Sequence, residues 1–152
     1  MIVNTAAVAY RGAIPDDCWH EPYMTADDLE ADIAAGVQLW AYESGSALLG
    51  VMGIQPVHDV FLIRHAYVRP QAQRQGVGAQ LLARLRTLVS TPILIGTWAD
   101  ASWAIRFYQK HGFELVDPRT TAKLLRTYWN VPDRQAQTAV VLTDSPAALP
   151  TS

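Results

Sequence analysis

Residues 60–89 read VFLIRHAYVRPQAQRQGVGAQLLARLRTLV. The first nine of them are apolar on both alternating faces, which is typical of a central strand that is covered on both sides of a sheet. Apolar residues then recur between positions 76 and 89 at the spacing of one helical face. A further apolar run follows at 92–97, so the order strand, helix, strand predicts a parallel, right-handed βαβ unit.

Other patterns place this unit in a mixed sheet. A helix begins near residues 25–28, which resemble a capping box, and Gly36 ends it. Runs at 37–43 and 47–54 flank a glycine-containing turn and predict a hairpin. The remaining expected elements are a short helix at 4–11, a helix at 102–111, a strand at 113–116, a helical turn or two at 121–129 and a last strand at 137–142. The fold class is therefore α/β, with an α+β mixed sheet that is partly antiparallel and partly parallel.

Length and composition predict one globular domain. The chain has 152 residues, of which 50% are hydrophobic and 17% charged, which fits a single folded unit. We assign residues 1–142 to this domain. Residues 143–152 are small, polar and proline-containing, and we expect them to form a flexible C-terminal tail.

Charge and cysteine content narrow the cellular setting. The net charge of −2 removes the simplest electrostatic case for binding nucleic acid. No apolar run approaches the roughly 20 residues that span a bilayer, and the first residues do not read as a secretory signal. The lone cysteine, Cys18, cannot form an internal disulfide. We therefore expect a cytoplasmic protein that binds neither nucleic acid nor a membrane.

The loop at 73–78 has the sequence QRQGVG and connects the buried strand to the amphipathic helix. Glycine lets a backbone approach a ligand closely, and the unpaired N–H groups at the start of a helix point toward such a loop. With the helix macrodipole, these groups predict a phosphate or pyrophosphate site; a turn that only connects the two elements is the alternative. The loop lacks the Gly-Lys-Ser/Thr of a Walker loop, and Leu81 replaces the third glycine of a dinucleotide fingerprint. Neither nucleotide motif therefore applies.

The same loop resembles the Gln/Arg-x-x-Gly-x-Gly/Ala motif of the GNAT N-acetyltransferase family. The resemblance begins at residues 65–70 (HAYVRP), continues through the loop and extends over nearly the whole chain. A second motif, AIRFYQKHGF at 104–113, is similar to the family's Ala-x-x-Phe-Tyr-x-x-x-Gly-Phe. The resemblance implies the GNAT acyl-CoA N-acyltransferase fold, in which helices flank a central mixed sheet with splayed parallel strands.

The resemblance also implies where acetyl-CoA binds. It would lie in a V-shaped gap between the strand that ends at Val68 and its parallel neighbour at 93–97. Tyr108 matches the family's tyrosine near the thioester sulfur, where a phenol can protonate the leaving thiolate; a core residue of its helix is the alternative. The implied cofactor-binding residues are Tyr67, Val68, Gln73, Arg74, Gln75, Gly76, Val77, Gly78 and Ala79. No metal is expected, because no cluster of His, Cys and Asp has ligand spacing.

Two positions depart from the family pattern. Ala101 stands where many members have an asparagine that contacts the cofactor, and Leu62 where many have a glutamate base. His65 is the leading candidate for the base, because imidazole titrates near neutral pH and this residue lies on the cofactor strand. The alternatives are an inert histidine packed in the sheet and, as a carboxylate base, Glu43. Arg64 interrupts the apolar strand and needs an acidic or phosphate partner.

Aromatic residues are the candidates for the acceptor pocket. We expect Trp19, Tyr23 and Tyr128 to bind the substrate, because aromatic faces hold apolar or cationic groups; packing in the core is the alternative. The expected function is transfer of the acetyl group of acetyl-CoA directly to an amine of a small molecule or peptide. A non-catalytic acyl-CoA-binding sensor or regulatory module of the same fold is the alternative. The resemblance leaves a homodimer open.

Overall fold

The structure, a computed structural model, describes residues 24–90, 92–129 and 136–149. The helix expected at 4–11 lies outside these ranges, as do Cys18, Trp19 and Tyr23. The predictions made for these residues stay predictions.

Four helices and six strands follow one another along the described residues. In chain order they are α1 (Ala26–Ala34), β1 (Gln38–Ser44), β2 (Ala47–Val57), β3 (Val60–Val68), α2 (Val77–Leu88), β4 (Ile93–Trp98), α3 (Ser102–Lys110), β5 (Glu114–Leu115), α4 (Pro118–Tyr128) and β6 (Ala139–Thr143). Short 3-10 turns at Pro70–Ala72 and Pro146–Ala148 complete the described elements.

The strands form one mixed sheet in the order β1-β2-β3-β4-β6-β5. β3 and β4 run parallel, with α2 as the crossover between them, and the other neighbouring strands of the described residues are antiparallel. The predicted βαβ unit and the predicted mixed fold class are both confirmed.

Local signals explain where α1 and α4 begin. Thr25 Oγ1 accepts from the Asp28 N–H at 3.0 Å, and the Asp28 carboxylate accepts from the Thr25 N–H at 3.0 Å, which completes the predicted capping box. α4 begins at Pro118, three residues earlier than expected. Asp117 accepts from the Thr120 N–H at 2.9 Å. Proline suits the first turn because the N–H group that it lacks would have no acceptor within the helix.

The last strand extends past the expected end of the domain. β6 runs to Thr143, so the expected boundary between domain and tail at 142/143 falls inside a strand. Thr143 is buried, and Leu149 packs against the core cluster that contains Leu124 of α4. Leu149 therefore packs onto the domain.

Each face of the sheet carries its own core. Helices α2 and α3 cover one face, where Leu82 packs in a cluster with Ile63. Helices α1 and α4 cover the other, where Leu29 packs near Tyr67 and Leu124 packs in a cluster with Leu62. We call these the α2/α3 face and the α1/α4 face. The sheet is thus a middle layer between two helical layers, as its apolar central strand predicts.

Candidate active site

Strands β3 and β4 separate toward their C-terminal ends. Within the described residues they pair only through Phe61–Ile63 and Ile93–Ile95, although β3 continues to Val68 and β4 to Trp98. Past these pairs, β3 pairs with β2 and β4 pairs with β6. The two parallel strands are therefore splayed, as expected, and a gap lies between their C-terminal halves.

A β-bulge lies where this gap opens. His65 has a φ of 55°, in the left-handed region. The β2–β3 register also shifts here: Arg64 is opposite Gly53, whereas Tyr67 is opposite Val51. β3 thus contains one residue more than its partner over this stretch, which is the definition of a bulge.

The bulge reverses the alternation of side chains along β3. Ile63, Ala66 and Val68 all pack with the cluster of the α2/α3 face. In an unbroken strand Ile63 would lie on the opposite face from Ala66 and Val68, because the side-chain period of a strand is two. One extra residue therefore decides which side chains border the gap on each face.

The ladder between β2 and β3 turns the backbone of Val68 toward the gap. The Arg69 N–H donates to the Leu49 carbonyl at 2.8 Å. Hydrogen-bonded pairs alternate along an antiparallel ladder, so Tyr67 uses its backbone groups on Val51. The N–H and carbonyl groups of Val68 consequently face away from β2, toward β4.

The glycine loop follows directly after the end of β3. Arg74 and Gly76 have φ values of 68° and 80°, and Gly76 is the residue before α2. The Gln80 N–H donates to the Gly76 carbonyl at 3.0 Å, so the N–H groups of residues 77–79 precede the first helical acceptor. The first turn of α2 contains no acidic residue. This helix end therefore has the donors and the positive potential that bind phosphate in proteins.

Side-chain hydrogen bonds connect the loop to the end of β3 and to the 3-10 turn that follows β3. Gln73 Nε2 donates to the Val68 carbonyl at 3.4 Å, and Gln75 Nε2 donates to the Gln71 carbonyl at 3.2 Å. Arg74 is exposed, and the Val77 side chain is buried beneath the loop. Val77 can therefore offer a ligand only its backbone N–H group.

Two glycines allow three elements to meet at the start of α2. A Cβ atom on Gly50 of β2 would lie 2.7 Å from Cγ1 of Val77, closer than real Cβ atoms come. A Cβ atom on Gly78 would lie 3.4 Å from Cζ of Phe107 in α3. The position of the glycine loop is thus set by β2 on one side and, on the other, by α3, which contains the second sequence motif.

Tyr108 lies beside this contact, on the α2/α3 face. It is 6% exposed, and its ring packs edge-on against Phe107 and Phe113, with centroids 5.2 and 5.9 Å apart. It belongs to the same core cluster as Val77. The two sequence motifs therefore converge on one face of the sheet.

His65 lies on the α1/α4 face and is tethered to α1. Its Nε2 atom is 2.8 Å from Oδ2 of Asp32, and its side chain is 7% exposed. Burial lowers the pKa of His65 below the ordinary 6.5, while the hydrogen bond to the Asp32 carboxylate opposes that shift and the charge of Arg64 adds to it. A neutral imidazole that donates from Nε2 to this carboxylate keeps Nδ1 as a proton acceptor.

Arg64 belongs to the same network. Its Nη1 donates to Gln55 Oε1 at 2.8 Å, and Gln55 Nε2 donates to the Ala35 carbonyl at 3.1 Å. Its Nη2 lies 3.7 Å from Oδ1 of Asp32. The sequence indicated that Arg64 needs a partner. It contained no signal for Asp32, which lies on another element and is brought near only by folding.

Tyr128 is not brought together with these residues. Its hydroxyl donates to Asp59 Oδ1 at 2.7 Å, at the opposite end of β3 and about 30 Å along the strand from Val68. Burial raises its pKa to about 12, with a further contribution from Asp59. The structure thus places the Tyr128 hydroxyl on Asp59 and not beside His65; that Tyr128 binds the acceptor stays a prediction. Its neighbour Trp129 borders the gap instead, since a Cβ atom on Gly96 of β4 would lie 3.2 Å from the indole Cζ2.

The two positions that depart from the family pattern are both buried. Ala101 precedes α3 and is fully buried, and Leu62 is fully buried in the core of the α1/α4 face. Among the described residues, no three side chains of His, Cys, Asp or Glu come together as a metal site. No helix in the described ranges is long and apolar enough to cross a membrane.

Comparisons with known proteins agree with this architecture. The family model described as "Acetyltransferase (GNAT) domain" matches residues 35–115, more than half of the chain. PaiA N-acetyltransferase from Thermoplasma acidophilum, solved in complex with coenzyme A, is 11% identical, with a TM-score of 0.64 over 93% of this chain and 86% of that one.

Two further solved structures have the same fold. A GNAT family acetyltransferase from Staphylococcus aureus Mu50 is 14% identical, with a TM-score of 0.66 over 94% of this chain and 91% of its own. A GNAT family acetyltransferase from Elizabethkingia anophelis, solved with acetyl-CoA bound, is 20% identical, with a TM-score of 0.59 over 86% and 88%. With its splayed strands and glycine loop, this chain belongs to the GNAT acetyltransferase family.

Proposed function

We propose that the protein is an acetyl-CoA-dependent N-acetyltransferase that acetylates an amine of a small molecule or peptide. One observation carries the proposal: the gap between β3 and β4 lies next to the N-terminus of α2, whose N–H groups at residues 77–79 precede the first helical acceptor. A pantetheine chain fits a gap lined by strand backbone, and a pyrophosphate fits such a helix end.

In this proposal acetyl-CoA is held mainly by backbone groups. The pantetheine amides pair with Val68, as an added strand would, while the Tyr67 side chain packs behind the strand. The N–H groups of Val77, Gly78 and Ala79 bind the pyrophosphate. The loop side chains that surround this site are Gln73, Arg74 and Gln75. Two neighbours, the proteins from T. acidophilum and E. anophelis, were solved with coenzyme A or acetyl-CoA bound.

Acetyl transfer then needs three functions from the protein. The amine nitrogen attacks the thioester carbonyl, so that a C–N bond forms and the C–S bond breaks. The N–H group of Val68 donates to the oxyanion, and Tyr108 donates a proton to the departing thiolate. His65, neutral and held by Asp32, accepts the proton that the attacking amine loses. His65 and Tyr108 lie on opposite faces of the sheet, which separates the acceptor from the leaving thiolate.

A charge placed in the loop tests the cofactor site. We expect Gly76→Asp to weaken acetyl-CoA binding at least tenfold relative to Gly76→Asn, because a carboxylate repels the pyrophosphate. Both variants strain the same left-handed φ of 80°, and a Cβ atom at Gly76 meets nothing within 4 Å, so the pair differs mainly in charge. Calorimetric titration with acetyl-CoA measures both. Equal affinities of the two variants would remove the loop from the phosphate site.

Removal of the phenol tests catalysis. We expect Tyr108→Phe to lower kcat by about 10²-fold or more, because a general acid contributes about 10²–10⁴-fold, and to leave the affinity for acetyl-CoA unchanged. Release of free coenzyme A thiol across a panel of amines measures kcat. A protein that binds acetyl-CoA and releases no thiol with any acceptor, or a Tyr108→Phe variant with full activity, would instead favour the sensor module.

A further inference from the structure

Arg64 places a cation in a largely apolar strand. The residues around it in β3 pack in the two cores, whereas its side chain is 27% exposed. Burying part of a guanidinium costs free energy unless its donors are used. Its one hydrogen bond among the described residues is to a neutral amide, Gln55 Oε1. Among the described residues the four other guanidinium N–H groups donate no further hydrogen bond, and the carboxylate nearest to them, that of Asp32, lies 3.7 Å from Nη2.

Asp32 neutralises this charge incompletely. Its Oδ1 lies 3.7 Å from Nη2 of Arg64, beyond hydrogen-bond distance, while its Oδ2 lies 2.8 Å from His65. The carboxylate is thus oriented toward the imidazole and does not form a bidentate ion pair with the guanidinium. Gln55 donates to the Ala35 carbonyl and accepts from the guanidinium, and these two hydrogen bonds fix the position of the guanidinium.

The position of Arg64 in β3 is the second observation. The last parallel pair is Ile63 with Ile95, so Arg64 and Gly96 occupy the first step at which the strands have parted. Trp129 lies over Gly96. Arg64 is also the residue before the bulge at His65. The backbone of Arg64 therefore lies where the gap opens, and its partly exposed guanidinium lies on the α1/α4 face near Asp32, the residue that also holds the candidate base.

We propose that Arg64 binds a carboxylate of the acceptor, so that the acceptor is an amino-carboxylate such as an amino acid. A guanidinium binds a carboxylate through two parallel hydrogen bonds, and Arg64 has the donors for it. The carboxylate then sits beside the guanidinium on the α1/α4 face and places the neighbouring amine near His65, which shares Asp32 with Arg64. This inference rests on the proposed acetyl transfer and adds the chemical class of its acceptor.

The test compares each of the twenty amino acids with its own carboxamide, which keeps the amine and removes the negative charge. The enzymes are wild type, Arg64→Gln, Arg64→Lys and, as a matched control, Arg119→Gln, an exposed arginine in the first turn of α4, ten residues before Trp129. Thiol release gives kcat/KM for each pair. The affinity for acetyl-CoA checks that every variant is folded.

We expect the wild type to prefer at least one amino acid over its carboxamide by tenfold or more. Arg64→Gln should lower kcat/KM for that amino acid about 10- to 100-fold, the range of a lost charge-assisted contact, and change the carboxamide about twofold or less. Arg64→Lys should fall between, and Arg119→Gln should match the wild type. Equal use of acids and carboxamides by the wild type, or an equal loss on both in Arg64→Gln, would overturn the inference.

Binding separates this inference from the proposed function. The products, N-acetyl amino acids, are titrated calorimetrically into wild type and Arg64→Gln saturated with coenzyme A. Binding that weakens tenfold or more in Arg64→Gln supports the carboxylate site even if no acceptor gives turnover, in which case acetyl transfer alone has failed. If none of these products binds the wild type more tightly than its carboxamide, the carboxylate site is wrong, whatever the activity.

Discussion

The close approach of β2 to the start of α2 can be tested with one methyl group. In Gly50→Ala the new Cβ atom would lie 2.7 Å from Cγ1 of Val77 and 3.2 Å from Cδ1 of Leu81. Val77 is 2% exposed and β-branched, so its methyl group cannot easily rotate away. The start of α2 must therefore shift, and the N–H groups proposed to hold the pyrophosphate shift with it.

The size of the effect follows from two opposing contributions. Overpacking a core costs about 1–3 kcal/mol, whereas replacing glycine by alanine stabilises by about 0.4–1 kcal/mol through the unfolded chain. We therefore expect Gly50→Ala to lower the free energy of unfolding by roughly 1–2 kcal/mol. Acetyl-CoA affinity should fall about tenfold, which corresponds to the loss of about one charge-assisted hydrogen bond.

The assay is urea denaturation of four proteins, combined with titration of acetyl-CoA. They are the wild type, Gly50→Ala, Val77→Ala and the double variant. Because Val77→Ala removes the methyl group that the new Cβ meets, the double variant should be more stable than the sum of the single effects, by about 0.5–3 kcal/mol. A Gly50→Ala variant with unchanged denaturation midpoint and unchanged affinity would refute this reasoning, as would strictly additive single effects.

Two further predictions concern the titratable groups at the two ends of β3. Because burial lowers the pKa of His65, the unfolded chain binds more protons than the folded one below about pH 6.5, so stability should fall as the pH is lowered through that value. Asp32 and Arg64 are the charged groups that face the imidazole. In His65→Gln, whose amide can still donate to Asp32, urea denaturation at pH 7.5 and 5.5 should show a smaller loss; an identical loss would contradict the buried neutral state. At the other end, Tyr128→Phe removes the hydrogen bond to Asp59 and should lower the melting temperature while leaving kcat/KM unchanged. A fall in kcat/KM would instead support a role of Tyr128 in the acceptor pocket. Since the pKa of Tyr128 is raised to about 12, the wild type should also lose stability above about pH 10, and the variant should lose less of it.

The elements themselves were readable from the chain because their signals are local. The capping box at Thr25, the glycine-containing turn between β1 and β2 and the glycine before α2 each lie within a few residues of the element that they delimit. The start of α4 was also readable, since Asp117-Pro118 is an N-cap followed by a proline, and only the expected boundary was late.

The sequence by itself determined the fold class, the glycine loop at the start of α2 and the motif that contains Tyr108. Each depends on residues that are neighbours in the chain, through turn geometry, helix capping and the spacing of apolar positions. The tertiary structure decided the rest. The bulge at His65 exists only in relation to the register of β2. The tether between His65 and Asp32 joins residues 33 positions apart. The hydrogen bond from Tyr128 to Asp59 joins residues 69 positions apart and depends on how α4 packs against the sheet. Pairing and packing between distant segments set these features, because no short stretch of chain contains both partners of such a contact.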